Sequence, residues 1–113
     1  MKNKSKKIKT KTKTKKLYKM YLLISSTKNY SVDIIARRYN AALIILKDLL
    51  ITHLLLDFNL DEKKTGEDLL LALAPDIPLN VQIVSLNPAG RLKLKHILIN
   101  NGYKEQGRWF VKS

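Results

Sequence analysis

The stretch Thr52-His53-Leu54-Leu55-Leu56-Asp57-Phe58-Asn59-Leu60-Asp61 decides the fold of this chain. Its first half, Thr52 to Leu56, is short and almost wholly apolar, as a strand buried on both faces would be. It stops at an acid, and a polar loop runs from Asp57 to Gly66. Helical patterns lie on either side. Tyr39 to Leu50 places Ala42, Ile45, Leu46 and Leu49 on one face and Lys47 and Asp48 off it. Glu67 to Ala74 predicts a leucine-rich helix stopped by Pro75.

Working outward, Tyr18 to Ile24 and Val32 to Ala36 read as two further strands, separated by the polar Ser25-Ser26-Thr27-Lys28-Asn29. Val81 to Ser85 reads as a fourth strand after Pro78. Asn87-Pro88 then opens a helix through about Asn100, with Asn87 as cap and Pro88 at the first helical position, and Gly102 ends it. Tyr103 to Val111, turning near Gly107, predicts a terminal hairpin with Trp109 and Phe110 covering an edge. Strands alternating with helices predict an α/β fold with a mostly parallel sheet of about four strands and flanking helices. The link between the first two strands is short for a parallel crossover. It is therefore either a degenerate crossover loop or the turn of an antiparallel hairpin.

The charge is unevenly spread. Of 113 residues, 22 are Lys or Arg and 9 are Asp or Glu, a net +13. Residues 1–20 hold ten lysines and no acid, which leaves the remainder at about +3. Residues 1–16 are low in complexity and have no apolar face, so they are expected to form a disordered basic tail ahead of a domain spanning 17–113. Lys2, Lys4, Lys6, Lys7, Lys9, Lys11, Lys13, Lys15 and Lys16 would neutralise phosphates and release counterions, which points to nucleic acid as partner, RNA or a ribonucleoprotein particle. Such a tail positions a chain on a backbone without reading bases.

With no cysteine, disulfides, thiolate metal sites and cysteine nucleophiles are excluded. Ala41 to Leu56, the longest apolar-rich stretch, contains Lys47, Asp48, Thr52 and His53 and is too short to span a bilayer, which needs about 20 apolar residues. The apolar run after the basic start, Tyr21 to Ile24, is too short for a signal-peptide core. A cytoplasmic protein with no membrane partner is expected.

In open α/β sheets, ligands sit beyond the carboxyl ends of the strands. Three segments reach that edge: Ser25 to Thr27, Asp57 to Asp61, and Ser85 to Gly90. Asp57 is the candidate acid/base group or metal ligand, with Asn59 as a second oxygen donor; alternatively both merely end the strand and shape the loop. Ser85, Asn87 and Gly90 surround a helix N-terminus, whose free N–H groups favour phosphate; Arg91 and Lys95 share one helix face and either extend that surface or form a solvated face. His53 reads as a core or edge histidine and His96 as an exposed one. Trp109, Tyr103 and Arg108 could stack on bases, although covering an edge strand is the simpler role.

Leu56-Asp57-Phe58-Asn59-Leu60-Asp61, Lys64-Thr65-Gly66-Glu67-Asp68-Leu69-Leu70 and Ser85-Leu86-Asn87-Pro88-Ala89-Gly90 occur in this order, before a helix ending Asn101-Gly102-Tyr103. Over residues 18–103 the chain resembles the cyclic-phosphate-processing receiver-like domains, relatives of response-regulator receivers. The resemblance implies a receiver/flavodoxin-like fold, with Mg²⁺ as cofactor where the site is active. The departures are specific. Ser25-Ser26 stand where the family has paired acids, Phe58 and Val84 where it has histidines, Asn59 where it has a second Asp, and Asp61 where it has Gly. Together they imply a degenerate site and a non-catalytic binding or assembly module without cofactor. Two other functions stay open. One is a metal-dependent phosphoesterase acting on cyclic-phosphate RNA ends through Asp57; the other is a signalling receiver that accepts a phosphoryl group on Asp57.

Overall fold

The computed structural model describes residues 18–61 and 63–113. The expected tail and its nine candidate lysines lie outside the described residues. The described chain runs β1 (Tyr21–Ile24), β2 (Ile34–Ala36), α1 (Tyr39–Asp48), β3 (His53–Leu56), α2 (Gly66–Leu73), β4 (Asn80–Ile83), α3 (Pro88–Asn100), β5 (Lys104–Gln106) and β6 (Trp109–Val111). The fold is α/β, with a six-stranded mixed sheet in the order β2-β1-β3-β4-β6-β5.

Local chemistry sets the helix ends. At α2 the Thr65 hydroxyl accepts from the Asp68 N–H (3.3 Å), and the Asp68 carboxylate accepts from the Thr65 N–H (2.9 Å), a reciprocal capping box. At α3 the Asn87 side chain accepts from the Gly90 N–H at 3.1 Å and Pro88 takes the first helical position, as its missing donor allows. Gly102 leaves α3 at φ 91°, and Gly107 turns the β5–β6 hairpin at φ 64°.

Four strands, β2, β1, β3 and β4, are parallel, while β6 runs antiparallel to β4 and β5 antiparallel to β6. The hairpin expected at the C-terminus is thus the far edge of the sheet, and the sheet has six strands rather than about four. The open choice at the first link resolves to a parallel crossover. Leu22 pairs with Ile34 and Ile24 with Ala36, joined by residues 25–33 without a helix.

That helix-free crossover, with the hairpin in place of a further helix, changes the layering. Leu22, Ile24, Leu54, Leu56, Val81 and Ile83 point to one face of the sheet. There they form one core with Ala42 of α1, Leu69, Leu70 and Leu73 of α2, and Leu94 and Leu98 of α3. The three helices also touch one another side by side. The opposite face carries a smaller cluster of Leu23, Leu55 and Val84 with Tyr21, Val32 and Trp109 against it, and no helix residue belongs to it among the described residues. Among the described residues the flanking helices therefore cover one face of the sheet, whereas the receiver/flavodoxin-like fold that the resemblance implies has them on both. Tyr103, which could have been a base-stacking residue, is buried in the helix-covered core.

Candidate functional site at the carboxyl edge of the sheet

Strands β1, β3 and β4 end side by side; Ser25 directly follows β1, Asp57 directly follows β3, and Ser85 follows β4 after Val84. Ser25, Asp57 and Ser85 are the buried polar side chains among the described residues. The parallel register accounts for the first two: Ile24 pairs with Leu56 and Leu56 with Ile83, so Ser25 and Asp57 leave the sheet together at its centre, with Ser85 one residue further along beyond Val84.

Asp57 is 6% exposed and its carboxylate is fully engaged. Oδ1 accepts from the Phe58 N–H at 2.8 Å, and Oδ2 accepts from the Ser25 hydroxyl at 2.9 Å and from the Lys28 ammonium at 3.1 Å. A buried carboxylate without such partners would be costly; the lysine supplies the opposite charge and the hydroxyl a further donor. The Ser25 oxygen in turn accepts the N–H groups of Lys28 (2.9 Å) and Thr27 (3.3 Å), folding the crossover loop back so that Lys28 reaches Asp57. Arg37 fixes the outside of the loop, donating to the carbonyls of Ser25 (3.2 Å) and Lys28 (2.6 Å) and to the Asn29 side chain.

The donor set does not suit a divalent cation. Asn59 is exposed in the loop, bridged through its backbone to Thr65, and is not among the partners of Asp57. A hard cation at this edge would have one carboxylate to bind, with an ammonium already 3.1 Å from it. Among the described residues no three His, Asp or Glu side chains come together as a metal site.

The phosphate-binding candidates are brought together beyond β4, and each has an internal partner. The buried Ser85 hydroxyl accepts from the Asn87 N–H at 3.1 Å, and the Asn87 side chain caps Gly90. Arg91 donates to the carbonyls of Ile83 (3.0 Å) and Ser85 (2.9 Å). Lys95 pairs with Glu105 of β5 at 3.3 Å, on the wall of an open groove of about 310 Å³ that Arg91 also lines. The start of α3 is closed by Phe58. A Cβ on Gly90 would lie 2.5 Å from its ring, so only glycine lets the ring lie there. Gly66 admits the Asp57 carbonyl equally closely, at 2.5 Å from where a Cβ would stand.

Lys28 is the member of this edge that the sequence did not single out; it lies 29 residues from Asp57, and only the polar run after β1 hinted at it. Phe58, standing where the resembled family has histidine, is the residue that covers the start of α3. His53 is half-buried on the helix-free face and His96 is exposed on α3. Burial and the charge of Lys19 hold the His53 pKa below its ordinary value.

No family model, no curated protein and no solved structure matches this chain. Among the described residues, no helix is long and apolar enough to cross a membrane.

Proposed function

We propose that the chain is a non-catalytic module of receiver-like descent that docks on nucleic acid through its basic N-terminal residues. The observation that carries the non-catalytic part is the state of Asp57. Both remaining functions, metal-dependent phosphoesterase and phosphoacceptor, need the oxygen that Lys28 and Ser25 hold. Metal binding or phosphoryl transfer there would first have to break a half-buried ion pair. The four parallel strands in the order β2-β1-β3-β4 support the receiver-like part, because flavodoxin-like sheets share that order. The missing helix after β1 and the closing hairpin are then losses from such a fold.

Charge carries the binding part. Ten lysines unrelieved by acid in residues 1–20 attract a phosphate backbone in proportion to the counterions they release. The test is the affinity of the full chain for a short labelled RNA between about 50 and 200 mM salt. The affinity is expected to fall by orders of magnitude, with a slope of about −0.7 per phosphate contacted on a single strand. Replacing the nine lysines from Lys2 to Lys16 by Gln should flatten that slope. An unchanged slope in that variant would move the binding to the folded domain and refute the tail as the anchor.

A further inference from the structure

The helix-free face of the sheet carries residues unlike those of the covered face. The strand register places Tyr21, His53 and Asn80 in one row across β1, β3 and β4, and Leu23, Leu55, Gln82 and Trp109 in the next row, so Trp109 stands diagonally beside His53 on the same face. Tyr21 and His53 stack with centroids 4.3 Å apart and planes 17° from parallel. Trp109 stands edge-on to both, 6.2 Å from Tyr21 and 5.1 Å from His53. All three are half-buried; Tyr21 and Trp109 pack on the buried Leu23, Leu55 and Val84, and no helix residue belongs to this cluster among the described residues. Those two rings are therefore held in place from below.

We propose that this face is a stacking platform for the bases of single-stranded nucleic acid. The inference rests on the nucleic-acid reading above and adds where the bases go and that the strand is single. Three observations select this occupant. The first is the aromatic set itself, since every base has a π-face and stacks on such rings without sequence preference. A set of this size suits about two or three nucleotides.

The second is charge. Lys19 lies near enough to His53 to act on its protonation, and Arg108 sits in the hairpin turn next to Trp109. In sequence, the nine lysines of residues 1–16 precede β1, so the chain that carries this face also carries a run of cations. Asp33 is the acid in register with the Tyr21 row, and its carboxylate already accepts from the Tyr21 N–H at 2.8 Å. The third is the poor fit of the other occupants. A second copy would bring another net +13 against the first. Residues 1–17 offer Met1, Ile8 and Leu17 as their only apolar side chains, too little to cover an aromatic face.

Trp109 is the sole tryptophan, so its emission reports on this face directly. The full chain is titrated with single-stranded oligo(U), with a duplex of equal length and with inorganic polyphosphate, binding being read separately by anisotropy of labelled polymers. Oligo(U) is expected to quench Trp109, and the other two to bind through charge without quenching. Tyr21→Ala should weaken oligo(U) binding about tenfold, with polyphosphate binding unchanged, and Tyr21→Phe should restore it. Oligo(U) binding without quenching, or equally tight in a folded Tyr21→Ala variant, overturns the platform and leaves the tail reading standing. Absence of binding to any polyanion at low salt overturns the nucleic-acid reading and the platform with it. Emission that shifts with protein concentration alone, accompanied by a dimer in sedimentation, overturns the platform in favour of a second copy.

Discussion

Leu54 and Leu55 are neighbours on the central strand and point to opposite faces of one sheet. Leu54 sits in the core that all three helices share, whereas Leu55 sits in a three-residue cluster roofed by Tyr21, Val32 and Trp109. Both are buried, at 0% and 8% exposure. What surrounds them differs. On the covered face the neighbours are aliphatic side chains from several elements, packed at the density of a protein interior. On the other face the same depth is reached under half-buried rings, with the polar side chains of Asn80 and Gln82 close by in register. One strand can thus build a core on one side and a surface on the other, because its side chains alternate.

The sharpest way to break this comparison is to remove the same atoms from each side. Leu54→Ala opens a cavity among elements that cannot close without moving a helix, and is expected to cost about 3–5 kcal/mol. Leu55→Ala opens one beneath rings that can settle inward, and is expected to cost nearer 2 kcal/mol. Denaturant unfolding of the two variants against the parent measures the difference. Equal losses would mean that the helix-free face is packed as rigidly as the covered one, and would weaken its reading as a binding surface.

Polar groups extend the contrast. Tyr103, in the helix-covered core, shares its one hydroxyl hydrogen between the carbonyls of Ile77 (2.9 Å) and Pro78 (2.7 Å), and burial pushes its pKa up to about 12. Tyr103→Phe removes that donor from two carbonyls while keeping the ring. It should cost about 1–2 kcal/mol by the same unfolding measurement. A neutral result would show that water reaches those carbonyls, and that the covered face is less dry than its aliphatic packing implies.

The parts of this architecture that were legible in the sequence are those fixed by local chemistry. Asn87, Pro88 and Gly102 mark both ends of α3 because a cap, a missing donor and a positive φ act within a few residues. Thr52 to Leu56 was legible as a central strand because burial on both faces leaves a continuous apolar run. What covers each face was not legible: Leu54 and Leu55 are the same residue type, and nothing in the run says that only one of them meets helices. The order of helices and strands predicted flanking helices without saying which face they cover. The segment after β1 is too short for one, which could be seen, but its consequence for the opposite face depended on the whole topology. The site divides in the same way. Asp57 was marked by its place after an apolar strand, whereas its partner Lys28 comes from another loop and depends on the turn made by Ser25.

The smallest effect expected is also the one that measures how wet the helix-free face is. His53 lies between Tyr21 and Trp109, with its Nδ1 2.9 Å from the Thr52 hydroxyl. Its pKa in the folded chain is lowered from the ordinary 6.5, first by burial and then by Lys19. The unfolded chain therefore takes up this proton more readily than the folded one. The stabilisation from keeping the ring neutral is complete above the ordinary value and is lost as pH falls through the folded pKa. Thermal melts of the parent and of His53→Gln between pH 7.5 and 5 should diverge on the acid side, with the parent losing more. The substitution changes no other ionisable side chain, so the gap between the curves isolates the histidine. A half-buried ring should give a small but resolvable gap. Parallel curves would mean that solvent hydrates the imidazolium in place, and the set of aromatic rings would then be an open surface without a dry floor for bases to stack on.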